Sequence, residues 1–566
     1  MGNPRLPLFL FLCAGLAFAL PGGAQAPDAP ASTFAEAIDV EVVELEVYAT
    51  DDAGRPVTGL GPGDFTVRVD GREVEVTGFY AAGEPAPAPA ATAPAAGTPP
   101  EPPTAAPAPD SRAGVSFVIY IENGYLDPGQ RGRAMNAVEE FFAGNLRPGD
   151  RVMVVSHDLA LEVLQPFTTD LDRVQAAFSS LSHASSRGVH NQAEWVGIYR
   201  EIEQSEFRRR GGIASNDPCA EIGRSVADRI RGLHGEAQMS LEALRSVAES
   251  LAGVEGRKML LFVGAGPPLR PGEDLLAILG KVCGRGDTMA AIEFDLTDEL
   301  HDIAVEANTA GVTIHTLDAG GLRARMHGTV TAEIRGLLTP EVEHLTVSNV
   351  HDTIYALADQ TGGRAILNAN DPRPDLELVG EDLTTFYSLA FADPHGRDGR
   401  VHRVAVEVGR PGVRLRYRET YRSQPVAEEM REGTLAALYH GDGEPFAGGR
   451  LVPGEPTVGE GGIALPVRVD LPFAGITLLP GATGELEARL RLFVAIRDVH
   501  GRVTEVQEVP LPLRVSRDKY PDGPPERLVF PLRLTIAPGQ QTLGVTVWDE
   551  LGGTVGVLRL DLDVER

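Results

Sequence analysis

The stretch VSFVIYIENGYL, Val115 to Leu126, decides how the rest of the chain reads. Its apolar and aromatic run from Phe117 to Ile121 does not alternate with polar residues, which is the pattern of a strand buried on both faces in the middle of a parallel sheet. The run stops at Glu122-Asn123-Gly124. Ligands of open α/β sheets sit outside the carboxyl ends of such strands, so the acid and the amide placed there are the first candidate site.

Downstream of this strand the chain alternates between the two periodicities. A helix is expected over Arg131 to Leu146, where Met135, Val138, Phe141 and Phe142 recur at helical spacing. Strands follow at Arg151–Val155 and Leu161–Pro166, then a helical stretch from Leu171 to Leu181. Lys258–Val263 and Val312–Leu317 read as further buried strands, separated by the helical segments PGEDLLAILGKVC and TDELHDIAVEANTAG. A helix over Thr353–Thr361, a strand at Arg364–Leu367, a helix near Asp375–Leu383 and an antiparallel edge pair, Thr385–Phe391 and Val401–Val408, complete the pattern. It predicts an α/β domain over residues 113–424, with right-handed crossovers onto a mostly parallel sheet. Between Ser182 and Ala252 lies a polar excursion longer than a connection needs, read as a helical insertion that either recognises something or elaborates the fold. Its second part places Ile230, Leu233, Leu241, Leu244, Val247 and Leu251 on one helical face.

The flanks differ in character. Residues 38–80 alternate with a period of two and are broken by Gly-Pro-Gly and by Asp70-Gly71, a hairpin signal, so they predict a small β unit. Residues 81–112 collapse to Ala, Pro, Thr and Glu and predict a disordered, semi-stiff linker. After Gln424 the helical pattern fades, and regular short strands between Pro, Gly and Asp clusters predict an all-β sandwich over 430–566. At the start, one Arg, an apolar run from Leu6 to Leu20 and small residues up to Ala26 have the layout of a secretory signal peptide over 1–26. Cys13 invites a lipoprotein reading, but Leu12 stands where such signals place a small residue. The expectation is an exported chain, periplasmic or extracellular, with no transmembrane segment once processed.

Lys and Arg number 51 against 80 Asp and Glu, a net charge of −29, and a field of that sign repels nucleic acid. Only Cys219 and Cys283 remain after processing, which leaves open a disulfide or two separate thiols. Ser156-His157-Asp158 looks like a catalytic triad, yet neighbours in an extended chain point to opposite faces and cannot form one. No G-x-S-x-G, H-E-x-x-H or Walker-type loop occurs. The integrin-type tripeptide Arg285-Gly286-Asp287 is too short to weigh, and Arg208-Arg209-Arg210 reads as a solvated helix end. Trp195, Tyr199 and Phe207 fit either an interface patch or a buried helix face.

Four stretches together carry a resemblance to a known family: VYATDDAGRPVTGLGPGDFTV; VSFVIYIEN with NLRPGDRVMVVS; LADQTGGRAI with FYSLAF; and VEVGRPGVRLRYRETY. Over Val40 to Tyr421 the chain resembles the VWFA-related family of exported bacterial proteins, built on a divergent von Willebrand factor type A domain. The resemblance implies a doubly wound sheet flanked by helices and, in typical members of the wider superfamily, a metal-ion-dependent adhesion site. That site pairs an Asp-x-Ser-x-Ser loop with a Thr and a later Asp, because a hard divalent cation takes oxygen ligands and keeps one position for a partner's carboxylate. Here Glu122 stands for the Asp, Gly124 and Leu126 for the serines, and Gly264-Ala265-Gly266 where a later acid is expected.

The expectation is therefore a non-enzymatic protein–protein interaction module with no cofactor and no catalytic residues, binding an unknown protein in the cell envelope or outside the cell. The alternatives are a metal-dependent adhesion module using the remnant positions Glu122, Asn123 and Asp318, with weak Mg²⁺ or Ca²⁺ binding, or a hydrolase with an unrecognised site.

Overall fold

Every residue of the strand Ser116–Glu122 is buried in the computed structural model of the chain, as its unbroken apolar pattern predicts. The structure describes residues 42–83, 114–183, 187–210, 218–284, 294–321, 339–459, 462–481, 485–499, 502–516, 520 and 524–564. The expected signal peptide with Cys13, the linker from residue 84 onward and the Arg285-Gly286-Asp287 tripeptide lie outside the described residues. The chain divides into two compact units, one of residues 42–252 and 256–424, the other of residues 425–566 with the short segment 253–255. No helix of the described residues is long and apolar enough to cross a membrane.

In the first unit the strands are β1 (Val42–Thr50), β2 (Phe65–Val69), β3 (Arg72–Val74), β4 (Val76–Ala81), β5 (Ser116–Glu122), β6 (Arg151–His157) and β7 (Leu161–Thr168). They continue as β8 (Lys258–Gly264), β9 (Val312–Asp318), β10 (Ala365–Ile366), β11 (Tyr387–Ala392), β12 (Val401–Val408), β13 (Arg414–Tyr417) and β14 (Thr420–Arg422). The helices are α1 (Pro128–Asn145), α2 (Leu171–His183), α3 (Arg187–Arg210), α4 (Pro218–Ser250), α5 (Glu273–Cys283), α6 (Thr297–Thr309), α7 (Pro340–Gln360) and α8 (Arg373–Thr384). Helix α1 starts a turn before Arg131 because Asp127 and Gln130 form a capping box around Pro128.

The central sheet has the order β10-β9-β8-β5-β6-β7, parallel except for β7. Chain connections leave β5 toward β6 on one side and return to β8 on the other, so the order reverses between β5 and β8. Phe117, Ile119 and Ile121 pack with Met135, Val138 and Phe142 of α1, Val174 of α2 and Val379 of α8 on one face. On the other, Thr316 donates to the Ile354 carbonyl of α7, and Ser240 of α4 reaches Glu122. Helix α4 thus lies in the layer that covers the sheet. Cys219 at its start and Cys283 at the end of α5 are joined by a disulfide.

The strands expected as an antiparallel edge of this sheet are elsewhere. β11 pairs with β1 and β4, and β12 with β2 and β14, in two separate antiparallel sheets, β13-β1-β11-β4 and β14-β12-β2-β3. One core joins them, with Leu45, Val47, Phe65 and Val67 from the early strands against Leu389, Phe391, Val404 and Val406 from the late ones. The alternation of β12, with His402, Val404 and Val406 buried between exposed neighbours, suits a strand with one face in a core and one in water. A purely parallel-sheet edge has no need of it.

The second unit corrects the all-β expectation after Gln424. Val426–His440 is a helix, α9, which follows Pro425, has Glu428 and Glu429 in its first turn and ends at Gly441 in the left-handed conformation. Its Thr434 donates to Thr546, and Leu438 packs where Gly544 leaves room. The remaining strands run from Arg450 to Val564 in two antiparallel sheets around one core that includes Val467, Val469, Leu490, Leu492, Val545 and Val547. Its buried face combines Met430 and Leu438 with the small residues Thr434, Ala436 and Ala437, a weaker apolar stripe than that of α4.

A buried ion cluster joins the β-sandwich of the first unit to the central sheet. Asp382 of α8, 1 % exposed, accepts two hydrogen bonds from Arg364 at 2.7 and 2.8 Å and two from Arg416 of β13 at 2.8 and 2.9 Å. Beside it Arg257, one residue before β8, donates to Glu46 of β1 at 2.9 Å and to the Leu383 carbonyl at 2.9 Å, and lies over the Phe386 ring. Burial raises the Asp382 pKa, but hydrogen bonds and attraction to Arg364 and Arg416 outweigh it and hold it below the usual carboxylate range. A depressed carboxylate stabilises the fold above its unfolded pKa, and the contribution is lost as pH falls through the folded value. Asp382→Asn should therefore cost about 3–5 kcal/mol at pH 7 by leaving two guanidinium groups without their anion. In denaturant titrations the gap to wild type should begin to narrow below about pH 4, the unfolded value, and close only as pH falls through the lower folded value, where the wild-type carboxylate also becomes neutral. A gap that stays constant with pH would refute the assignment.

Candidate functional site

The carboxyl ends of β6, β5, β8 and β9 bring His157, Glu122, Gly264 and Asp318 into one row, since Glu122 pairs with His157 and Gly264 with Asp318. Glu122 and Asp318 are separated by the intervening β8, two strand spacings or about 10 Å. Sequence patterning places both acids at this crest, and the structure puts them there, on the face covered by α4 and α7.

Each remnant position is answered by a donor of the protein itself. Glu122, fully buried, lies 3.0 Å from His157 Nδ1, accepts from the Ser240 hydroxyl and accepts from the Gly124 amide at 3.2 Å. Asn123 accepts from Arg131 at 2.6 Å and donates to Asp158 at 3.2 Å. Asp318 lies 3.0 Å from His351 Nε2 of α7 and accepts from the Gly320 amide at 2.9 Å. Imidazole and guanidinium groups thus occupy these acceptors, where a hard cation would need them open.

The loop after β5 is also covered. A side-chain carbon on Gly188, at the start of α3, would fall 2.3 Å from the Leu126 carbonyl, so helix and loop are in backbone contact there. Leu126, in the position of the second serine, is fully buried. On the β8 side, a side chain at Gly266 would strike the Tyr125 ring at 2.7 Å, which accounts for the small residues where an acid is expected. Under α3, Tyr199 is buried and packs in a core with Trp195, Ile202 and Ile230, which settles that pair as a buried helix face. Phe207 is exposed.

His157, set aside with its neighbours as a false triad, is a central member of the crest. The arrangement is still not a nucleophile relay. In such a relay the imidazole stands between hydroxyl and acid, whereas here Glu122 stands between Ser240 and His157 and binds both. Arg131 and Ser240 were missed, although each left a trace: both are polar residues on an apolar helical stripe, Arg131 with Met135 and Val138, Ser240 with Leu233, Ala237 and Leu244. His351 left no comparable signal.

Burial works against the His157 imidazolium, but hydrogen bonding and attraction to Glu122, with Asp158 nearby, prevail and raise its pKa above the ordinary value. A raised histidine stabilises the fold fully below its unfolded pKa, about 6.5, and the contribution is lost as pH rises through the folded value. His157→Gln keeps a hydrogen-bond donor and removes the charge. It should cost about 1–3 kcal/mol at pH 6 in chemical denaturation, and distinctly less at pH 9. An equal loss at both pH values would show that the pair is not charged.

No protein-family model matches the chain, and no curated protein matches it. Among solved structures it is similar to an aerotolerance-related membrane protein of Bacteroides fragilis carrying multiple mutations to serine. The identity there is 12%, over 48% of this chain and 98% of that one, with a TM-score of 0.24. It is also similar to a β-glucuronidase of Bacteroides uniformis, at 11% identity over 34% of this chain and 19% of the enzyme, with a TM-score of 0.14. Neither likeness is close enough to carry a functional argument.

Proposed function

We propose that the chain is an exported, non-enzymatic protein–protein interaction module whose α/β part is a von Willebrand A-like domain with a degenerate metal-ion-dependent adhesion site. The observation that carries this reading is the saturation of the crest: Glu122 by His157 and Ser240, Asn123 by Arg131, and Asp318 by His351. The doubly wound assignment is supported by the strand order. Counted along the chain within the central sheet, it is 6-5-4-1-2-3, which read from the other edge is the 3-2-1-4-5-6 order of doubly wound folds. Export is supported by the Cys219–Cys283 disulfide, since such bonds persist in oxidising compartments.

With the β5 loop covered by α3, the recognition surface lies one strand over, at the β6–β7 hairpin. Leu159, Leu161 and Met239 of α4 are exposed and line a groove of about 600 Å³ together with Gln238, Glu242 and Arg245. Leu159 has φ 73, a conformation that costs a bulky residue about 1–2 kcal/mol and that glycine adopts freely. An exposed leucine held at such a position is better explained by what it presents than by what it stabilises. The partner is a protein of the cell envelope or the extracellular space that offers an apolar anchor with a polar rim.

Two measurements test this. Calorimetric titration of the processed chain with Mg²⁺ and Ca²⁺ should show no binding in the micromolar range, and micromolar binding abolished by Glu122→Gln would overturn the degenerate-site reading. Leu159→Gly should leave the unfolding midpoint unchanged or raise it, while abolishing capture of the envelope partner that wild type retains in the presence of chelator. Capture that survives this substitution would exclude the hairpin as the surface.

A further inference from the structure

At the other side of the first unit, the β-sandwich holds a second cluster that the crest does not involve. Asp70 occupies the first position of the two-residue turn Asp70-Gly71 between β2 and β3, with φ 48 and φ 80, the paired positive values of a tight hairpin. Its Oδ1 accepts from the Arg403 amide at 3.0 Å. Its Oδ2 lies 2.8 Å from His402 Nδ1 and 3.4 Å from His395 Nε2. The two imidazole rings are stacked, with centroids 3.6 Å apart and planes 9° from parallel. One donor atom from each of the three residues lies within 4.8 Å of the other two.

We propose that Asp70, His395 and His402 form a binding site for a single first-row divalent cation of the zinc class. Three features argue for it. The donor set is two imidazoles and one carboxylate, which suits zinc and its neighbours and is unlike the all-oxygen sets of magnesium or calcium. The spacing is close to what ligation needs: bonds of about 2.0–2.1 Å in a tetrahedron put donor atoms about 3.3 Å apart. The Asp70–His395 separation of 3.4 Å already meets that, and the Asp70–His402 pair at 2.8 Å must open slightly. A tilt of the partly exposed His395 ring out of the stack aims its Nε2 lone pair at the cation.

The outer shell is built as well. His402 Nε2 lies 3.0 Å from Asp398 Oδ1, a carboxylate partner that would hold the proton on Nε2 when a cation displaces the proton shared between Nδ1 and Asp70. His395 is held in turn: its amide donates to Asp393 at 3.0 Å, and Asp393 also accepts from Tyr421 at 2.7 Å and from Ser423. His402 is buried whereas the Asp70 side chain is 44% exposed, so one side of the site faces solvent and a fourth position is open to water. A cation here would tie the β2–β3 hairpin to His395 of the β11–β12 connection and to His402 of β12, which is 332 positions from Asp70 in the chain.

The test uses the processed full chain stripped of metal. Calorimetry with Zn²⁺ should give one site of micromolar or tighter affinity with no competition from Mg²⁺, and Co²⁺ should give the intense visible absorption of a four-coordinate site. His395→Phe keeps the stacked ring and removes the donor, and Asp70→Asn keeps a residue suited to the turn and removes the charge. Each should weaken Zn²⁺ binding at least tenfold and abolish the rise in unfolding midpoint that Zn²⁺ gives wild type. If wild type binds no Zn²⁺, or binds it as tightly as both variants do, the cluster is a hydrogen-bonded histidine pair between carboxylates and the proposal fails. His395 lies on a connection outside the strands, so its variant tests the donor without altering the turn.

Discussion

Asp382 takes both Arg364 and Arg416 onto its two carboxylate oxygens, in a site closed to solvent. Arg416 comes from the β-sandwich of the first unit, Arg364 from the edge of the central sheet, and Asp382 from the helix packed beneath it. A buried ion cluster of this kind stabilises little relative to an apolar core, yet it tolerates no missing member. It therefore acts as a gauge of assembly: only when strands from residues 42–50 and 414–417 have paired, and α8 has docked, are all the charges matched. Glu46 and Arg257 extend the same matching to the start of β8. His315, buried alongside with its pKa pushed down to about 3, stays neutral and accepts from the Arg364 amide.

The crest follows the same rule at the opposite ends of the strands. A metal-dependent site leaves negative charge unpaired so that a cation must enter. Here the chain supplies polar partners itself, through His157, Arg131 and His351, and lays α3 across the loop after β5. The two ends of one sheet are thus both finished by internal pairing. The exposed apolar surface beside the crest is that of Leu159, Leu161 and Met239 at the β6–β7 hairpin, in a groove also lined by His157, Glu242 and Arg245.

Much of the fold was legible in the chain because it is written in short-range patterns. The unbroken apolar runs of β5 and β8 and the helical spacing of α1 and α4 identify themselves from ten or twenty residues. A contact across 344 positions, as between Glu44 and Ser388, leaves no such mark, and so residues 38–80 read as a unit of their own although the strands within residues 42–81 are half of a sandwich. At the crest, Glu122, Asn123 and Asp318 could be found from their place at strand ends. Their pairing with Arg131, Ser240 and His351 could not, because these come from three helices whose orientation over the sheet is a tertiary fact; Arg131 and Ser240 show in the sequence only as polar breaks in apolar stripes. The helix α9 is harder to read for a different reason: between Met430 and Leu438 its buried face is made of the small residues Thr434, Ala436 and Ala437, which weakens the apolar stripe.

The interleaving of β1 and β2 with β11 and β12 also dictates an order of events. β1 can find no neighbour until some 340 further residues have been made, and loops of that length close slowly. Through all of that time the first strands, rich in Val, Leu and Phe, have unpaired edges. Until the late strands arrive, those edges stand open to pairing with other chains, so the separation of the earliest and latest strands sets how long the nascent chain is exposed to misassembly.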